Sequence, residues 1–191
     1  MKLACLGDSN TWGYDGRSYW GERFPREVRW TGRLAALPGV ELVDLGENGR
    51  EIPHTPYAIG RAEDELRRAA GADWLLVLLG TNDLLQDGTV TAAEAAGRMR
   101  RFLLRTAALP ELSRTRTLLI APPPLVPGAW VPPGRLTEES SRLAPAYARL
   151  ASDLGASFLD CGALPLAFDG VHFTAEAHAA LAEKLRLFLG L

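Results

Sequence analysis

The sequence predicts an α/β fold, a three-layer α/β/α sandwich on a five-stranded parallel sheet, and three features of the chain predict it. Five short runs are apolar almost without interruption, as strands buried on both faces require. Longer segments with helical spacing of apolar residues separate those runs. A polar, glycine-bearing cluster also follows four of the five runs, where a strand hands over to a loop.

The first strand is "KLACL" (2–6), followed by "GDSNTWG" (7–13), a stretch of turn and capping residues. A helix is predicted over 28–37, then a strand "ELVDL" (41–45) and a helix over 57–70. "DWLLVLL" (73–79) is the third strand, and the helix over 91–109 begins at Thr91, an N-cap residue with Glu94 in the first turn. The fourth strand is "TLLIA" (117–121), and its helix, 138–154, contains Pro145, which is expected to kink or shorten it. "ASFLD" (156–160) is the fifth strand, and the last helix, 174–189, starts at the N-cap Thr174. Five β/α units joined by right-handed crossovers favour a flavodoxin-like strand order of 2-1-3-4-5.

The 191 residues predict one domain, 1–191. A formal net charge of −2, from 21 basic and 23 acidic side chains, argues against a nucleic-acid or anionic-lipid partner. "MKLACLGDSN" holds too short an apolar run for a signal peptide, and no segment reaches membrane-spanning length, so a cytoplasmic protein is expected. Cys5 and Cys161, the two cysteines, form no CxxC and read as reduced apolar fillers. Two loops rich in Gly, Pro and aromatics, 14–27 and 122–135, follow strand ends and are expected to wall a pocket at the edge where open α/β sheets bind ligands.

The four clusters are "GDSN", "GENGRE", "GTND" and "DGVHFT". Parallel strands point their carboxyl ends one way, so these clusters converge. A serine hydrolase needs a nucleophile, a base, an acid to orient the base, and donors for the oxyanion. Of three histidines, His54 lies in a loop and His178 reads as a solvated residue of the last helix. His172 stands three residues after Asp169, a spacing that lets one carboxylate hold Nδ1–H while Nε2 faces Ser9. Asn82 follows a strongly apolar strand and is a candidate oxyanion donor, with an Asx turn as its bland reading. Gly49 can bring a bare N–H to the same point, Gly46 competes with it, and the Ser9 N–H is a third donor. Asp8 and Asn10 read as turn-holding neighbours of Ser9.

Taken in order, "GDSN", "GENGRE", "GTND" and "DGVH" resemble the GDSL or SGNH hydrolases over residues 7–172. The resemblance implies a three-layer α/β/α fold and ester hydrolysis without metal or cofactor. Carried onto this chain, it makes Ser9 the nucleophile, His172 the base, Asp169 its partner, and Ser9, Gly49 and Asn82 the oxyanion donors. The chain departs from the family pattern twice: Asn10 replaces the leucine after the motif serine, and the second block lacks the usual Asn before its glycine.

"TWG", "ERFPREVRWTG" (22–32), "APPPL" (121–125) and "DGVHFT" (169–174) look like the arylesterase and acyltransferase branch. That branch implies small, often acetyl, esters, acyl transfer to alcohols or peroxide, and homo-oligomers. Trp12, Tyr14, Trp20 and Trp130 are candidate walls of the acyl pocket. A carbohydrate acetylesterase, or a lysophospholipase-type lipid esterase, would use the same machinery. Two other classes fit less well. A non-enzymatic flavodoxin-like module would need a Gly-rich phosphate cradle that the first loop lacks, and a metal-dependent hydrolase would need more clustered ligands.

Overall fold

Side chains that alternate between two apolar environments make β1 (Lys2–Gly7) the hub of the sheet. In the computed structural model, which describes residues 1–18 and 20–191, β1 lies between β2 (Glu41–Gly46) and β3 (Trp74–Leu78). β4 (Arg116–Ala121) pairs with β3, and β5 (Ser157–Asp160) with β4. All pairs are parallel and the order is 2-1-3-4-5, as the sequence predicts.

Ala4 and Leu6 of β1 face one core with Leu75, Val77 and Leu119, while Leu3 and Cys5 face a second with Leu76, Leu118 and Ile120. The first core is closed by α3 (Pro56–Arg67), α5 (Ala92–Ala107) and α6 (Arg135–Leu154), which supply Leu66, Phe102 and Leu143. The second is closed by α2 (Trp30–Ala35) and α7 (Ala175–Leu189) through Trp30, Leu34, Leu181 and Leu185. Each fully buried Leu or Phe contributes about 1.5–3 kcal/mol of transfer free energy, so the two cores hold the sheet rigid beneath its carboxyl edge.

The α5 start is a capping box: Thr91 Oγ1 accepts from the Glu94 N–H and Glu94 returns the bond to the Thr91 N–H. Thr174 caps α7 by accepting from the Ala177 N–H at 3.2 Å. Two single-turn helices, α1 (Ser9–Trp12) and α4 (Thr81–Gln86), escape the sequence reading because one turn shows no helical period. Pro145 does not shorten α6, which runs unbroken for 20 residues. Its ring lies on the exposed face, so the Ser141 carbonyl it leaves without a helix partner is open to water. Among the described residues, no helix is long and apolar enough to cross a membrane.

His178 is the clearest departure from expectation: the side chain read as solvated is fully buried. It lies on the stripe with Leu181, Ala182 and Leu185, three, four and seven residues on, which is the core-facing spacing. Its ring meets Phe24 and Phe173 edge-on, each at 5.4 Å between centroids. Burial first, and then Arg29 and Arg33, push its pKa down to about 4. The unfolded chain protonates His178 near 6.5 and the folded one near 4, so stability is intact above 6.5 and is lost as pH falls through that window. The full difference is about 3 kcal/mol. Urea titrations of wild type and His178→Leu at pH 7.5 and 4.5 are expected to show a clearly smaller acid loss in the variant; equal losses would refute the account.

Candidate active site

Register brings the clusters together. Gly7, the last residue of β1, is paired with Gly46 of β2 and with Leu78 of β3, so the three loops that follow leave the sheet side by side. Ser9 opens α1 two residues beyond Gly7, and Asn82 lies in the first turn of α4. Asp8 caps α1 by accepting from the Asn10 N–H at 2.9 Å. The 166–173 loop then folds back over this edge, with a single bridge between Leu166 and Phe173.

The His172 Nε2 lies 3.0 Å from Ser9 Oγ, and its Nδ1 lies 2.7 Å from Asp169 Oδ2. Ser9, Asp169 and His172 are 6%, 1% and 4% exposed, so water barely competes for these bonds. The other carboxylate oxygen of Asp169 accepts from the Val171 and His172 N–H groups at 2.8 and 2.9 Å. Burial raises the Asp169 pKa, but the hydrogen bonds from the His172 ring and from these two amides outweigh it, and the carboxyl lies below its usual value. An ionised Asp169 has no proton to give, so the short contact requires Nδ1–H and leaves the Nε2 lone pair toward Ser9. Asp8 differs from its neighbour: burial pushes it up to about 6, against the pull of the Asn10 N–H and His172.

The second cluster is bound to α4 by side chains one helical turn apart. Asn82 Nδ2 donates to the Arg50 carbonyl at 3.1 Å, and Gln86 Nε2 to the Gly49 carbonyl at 2.7 Å. An amide nitrogen has two protons, so Asn82 keeps one for a ligand. Gly49 has φ of +73° and open space where a Cβ would stand, with Gln86 Nε2 at 3.8 Å. Gly46, its competitor, gives its N–H to Asp44 at 3.0 Å and packs under α1, where a Cβ would meet the Trp12 nitrogen at 2.3 Å.

Sequence reasoning missed Gln86, although its spacing of four from Asn82 puts both on one helix face. It also missed Asp83. That carboxylate, raised by burial, accepts from the Ile52 N–H at 2.9 Å and from Arg98 at 2.8 Å. Glu51, His54 and Asp83 present ligand atoms within 4.8 Å of one another, but Arg98 joins both carboxylates and already supplies the balancing charge.

Of the four aromatic candidates, two stand against His172. The Tyr14 ring lies 4.2 Å from the imidazole and tilted by 33°, and the Trp130 ring lies 5.2 Å away and edge-on. Trp12 instead stacks with Arg23 and lines a cavity with Arg23, Arg26 and Arg29. Trp20 is 84% exposed. Described residues of both loops that carry these aromatics pack against the acid. The Ala129 and Trp130 N–H groups donate to the Phe168 and Asp169 carbonyls, and Leu125 and Val131 form a small core with Val171. A Cβ on Gly16 would stand 2.7 Å from Asp169 Oδ2, and one on Gly128 would stand 2.6 Å from the Asp169 carbonyl carbon.

Known proteins place the chain. It superposes on an Agrobacterium tumefaciens protein assigned as an arylesterase with TM-score 0.89 and 32% identity, covering 99% of this chain and 98% of that one. A carbohydrate acetylesterase from Sinorhizobium meliloti gives 0.86 and 26%, over 99% and 98%. The aryl esterase of M. smegmatis gives 0.81 and 28%, over 97% and 98%. A search of curated proteins found no match. The sequence profile of the GDSL-like lipase/acylhydrolase family covers residues 5–180, and with that span matched the chain belongs to this family of ester hydrolases.

Proposed function

We propose that this ester hydrolase cleaves small, acetyl-type carboxylic esters through an acyl-enzyme on Ser9. The observation that carries the reading is the buried relay from Ser9 Oγ through His172 to Asp169, at 3.0 and 2.7 Å. His172 Nε2 takes the Ser9 proton as Oγ bonds to the ester carbonyl carbon, and the carbonyl electron pair moves onto oxygen. That oxyanion rests on the N–H groups of Ser9 and Gly49 and on the free proton of the Asn82 amide. His172 then gives its proton to the departing alcohol oxygen as the tetrahedral intermediate collapses. Water attacks the acyl-enzyme with His172 again as base, which returns Ser9 and releases the acid; an alcohol or peroxide in place of water makes the same step an acyl transfer.

Tyr14 and Trp130 support a small acyl group, because both rings crowd the imidazole. For the alcohol part, the likeness to aryl esterases and a carbohydrate acetylesterase supports aryl or sugar acetates over long-chain lipid esters. A non-enzymatic binding module no longer competes, since the family is one of hydrolases. Half-exposed Trp130 and exposed Phe168, beside Asp169, support a homo-oligomer in which a neighbouring copy covers the rim of the site. The two free, buried cysteines are consistent with a reducing, cytoplasmic setting.

The test is a panel of p-nitrophenyl esters of rising acyl length, with a fluorophosphonate label read by mass spectrometry. Highest kcat/KM at acetate, and one label per chain on the Ser9 peptide, are expected. A label elsewhere, or a preference for long acyl chains, would overturn the reading.

A further inference from the structure

Asn10, read from sequence as a turn-holding residue, has its side chain elsewhere. Its Oδ1 accepts from the Phe173 N–H at 2.9 Å and its Nδ2 donates to the Val171 carbonyl at 3.2 Å. These are the residues on either side of His172, more than 160 positions away in sequence. The orientation of the amide is fixed by its partners, since an N–H must meet its oxygen and a carbonyl its NH2 group. Asn10 is 3% exposed, so neither bond is shared with bulk water. The main chain of His172 is held as well: its N–H donates to Asp169 and its carbonyl accepts from the Ala167 N–H at 2.7 Å. Asn10 is itself anchored, its N–H bonded to Asp8 and its carbonyl to Trp30 Nε1 at 3.0 Å.

We propose that Asn10 is a positioning residue, a two-point clamp that sets His172 relative to the Ser9 hydroxyl. The proposal rests on the Ser9 and His172 roles given above. Ser9 and Asn10 are consecutive in α1, so one peptide unit separates the nucleophile from the clamp on the base. The other short link between them, the Tyr14 ring against the imidazole with the Tyr14 N–H on the Ser9 carbonyl, is a packing contact that makes no hydrogen bond to the main chain around His172. A leucine, the residue the family pattern leads one to expect here, fills similar space and can make neither bond. The departure at residue 10 thus installs a hydrogen-bonded link that a leucine cannot form.

Asn10→Leu leaves the Val171 carbonyl and Phe173 N–H without their partner and frees His172 to shift. A displacement on the order of 1 Å at a catalytic group costs about a hundredfold in rate, so kcat on p-nitrophenyl acetate is expected to fall by about that factor. KM is expected to stay within about twofold, because the Asn10 side chain is buried and its polar atoms are taken up by main-chain groups. The low-field proton resonance of His172 Nδ1–H is expected to broaden or move. Asn10→Asp keeps the side-chain shape and the bond to Phe173 but offers Val171 no donor as a carboxylate; at pH 8 it is expected to lose at least about tenfold in kcat. Wild-type kcat in either folded variant overturns the clamp, as does a loss that falls wholly on KM. Ser9→Ala assayed alongside separates the two claims: if it is active, the nucleophile assignment fails, and if it is dead while the Asn10 variants are normal, only the clamp fails.

Discussion

Ser9→Ala is expected to lower kcat on p-nitrophenyl acetate by on the order of a millionfold. In the proposed mechanism the hydroxyl is both the bond-forming atom and the group whose proton His172 removes, so truncation ends covalent catalysis rather than slowing it. What remains is the oxyanion site and bound water, worth about a thousand- to ten-thousandfold over the uncatalysed rate. The fold is expected to survive. Ser9 opens a helix that Asp8 caps, and the substitution leaves the Asp8 bond to Asn10 untouched. Its one loss is the partner of His172 Nε2, a cost of about 1–3 kcal/mol for a buried neutral acceptor. A purified, folded Ser9→Ala enzyme retaining about a tenth of wild-type kcat would sink the nucleophile assignment, because loss of a reacting serine costs on the order of a millionfold, not tenfold.

Asp169→Asn isolates the tautomer argument. Its Oδ1 accepts from two backbone amides, and an asparagine oxygen can accept from both, so the 169–173 turn is expected to keep its shape. The atom facing His172 Nδ1 then becomes an NH2 group. Nδ1 must accept, the ring proton moves to Nε2, and the lone pair that received the Ser9 proton is gone. A loss of about ten-thousandfold in kcat is expected, with KM and melting temperature close to wild type. Circular dichroism melts and steady-state kinetics on one preparation check it. A loss smaller than about tenfold would show that Asp169 does not orient the base.

The sheet was legible because β1, β3 and β4, the largely buried inner strands, are apolar almost throughout, and the half-buried edge strands β2 and β5 keep enough apolar residues to stand out from the amphipathic segments between them. The relay was legible for a different reason. With three histidines in the chain, one of them three residues after an aspartate, few assignments were open. Asn10, Asp83 and Gln86 were illegible as site residues because they bond main-chain groups of residues 171, 173, 52 and 49. Every residue but proline has the same N–H and C=O, so nothing in those partners marks them. His178 was different. Its place on the apolar stripe of α7 was there to read, and the usual habit of histidine outweighed it.

Gly16 and Gly128 lie so close to Asp169 that neither has room for one added carbon. Both sit in the loops that deliver Tyr14 and Trp130 to the imidazole. With Tyr14 and Trp130 walling the acyl pocket as proposed, the parts of the molecule that would be remodelled to admit a different ester are also the parts that brace the acid. Selectivity and turnover are mechanically joined here: swapping either loop for one of another length would disturb the relay before it reshaped the pocket. Changes of substrate in this enzyme are better sought in the projecting side chains of those loops, with the two glycines kept as fixed points.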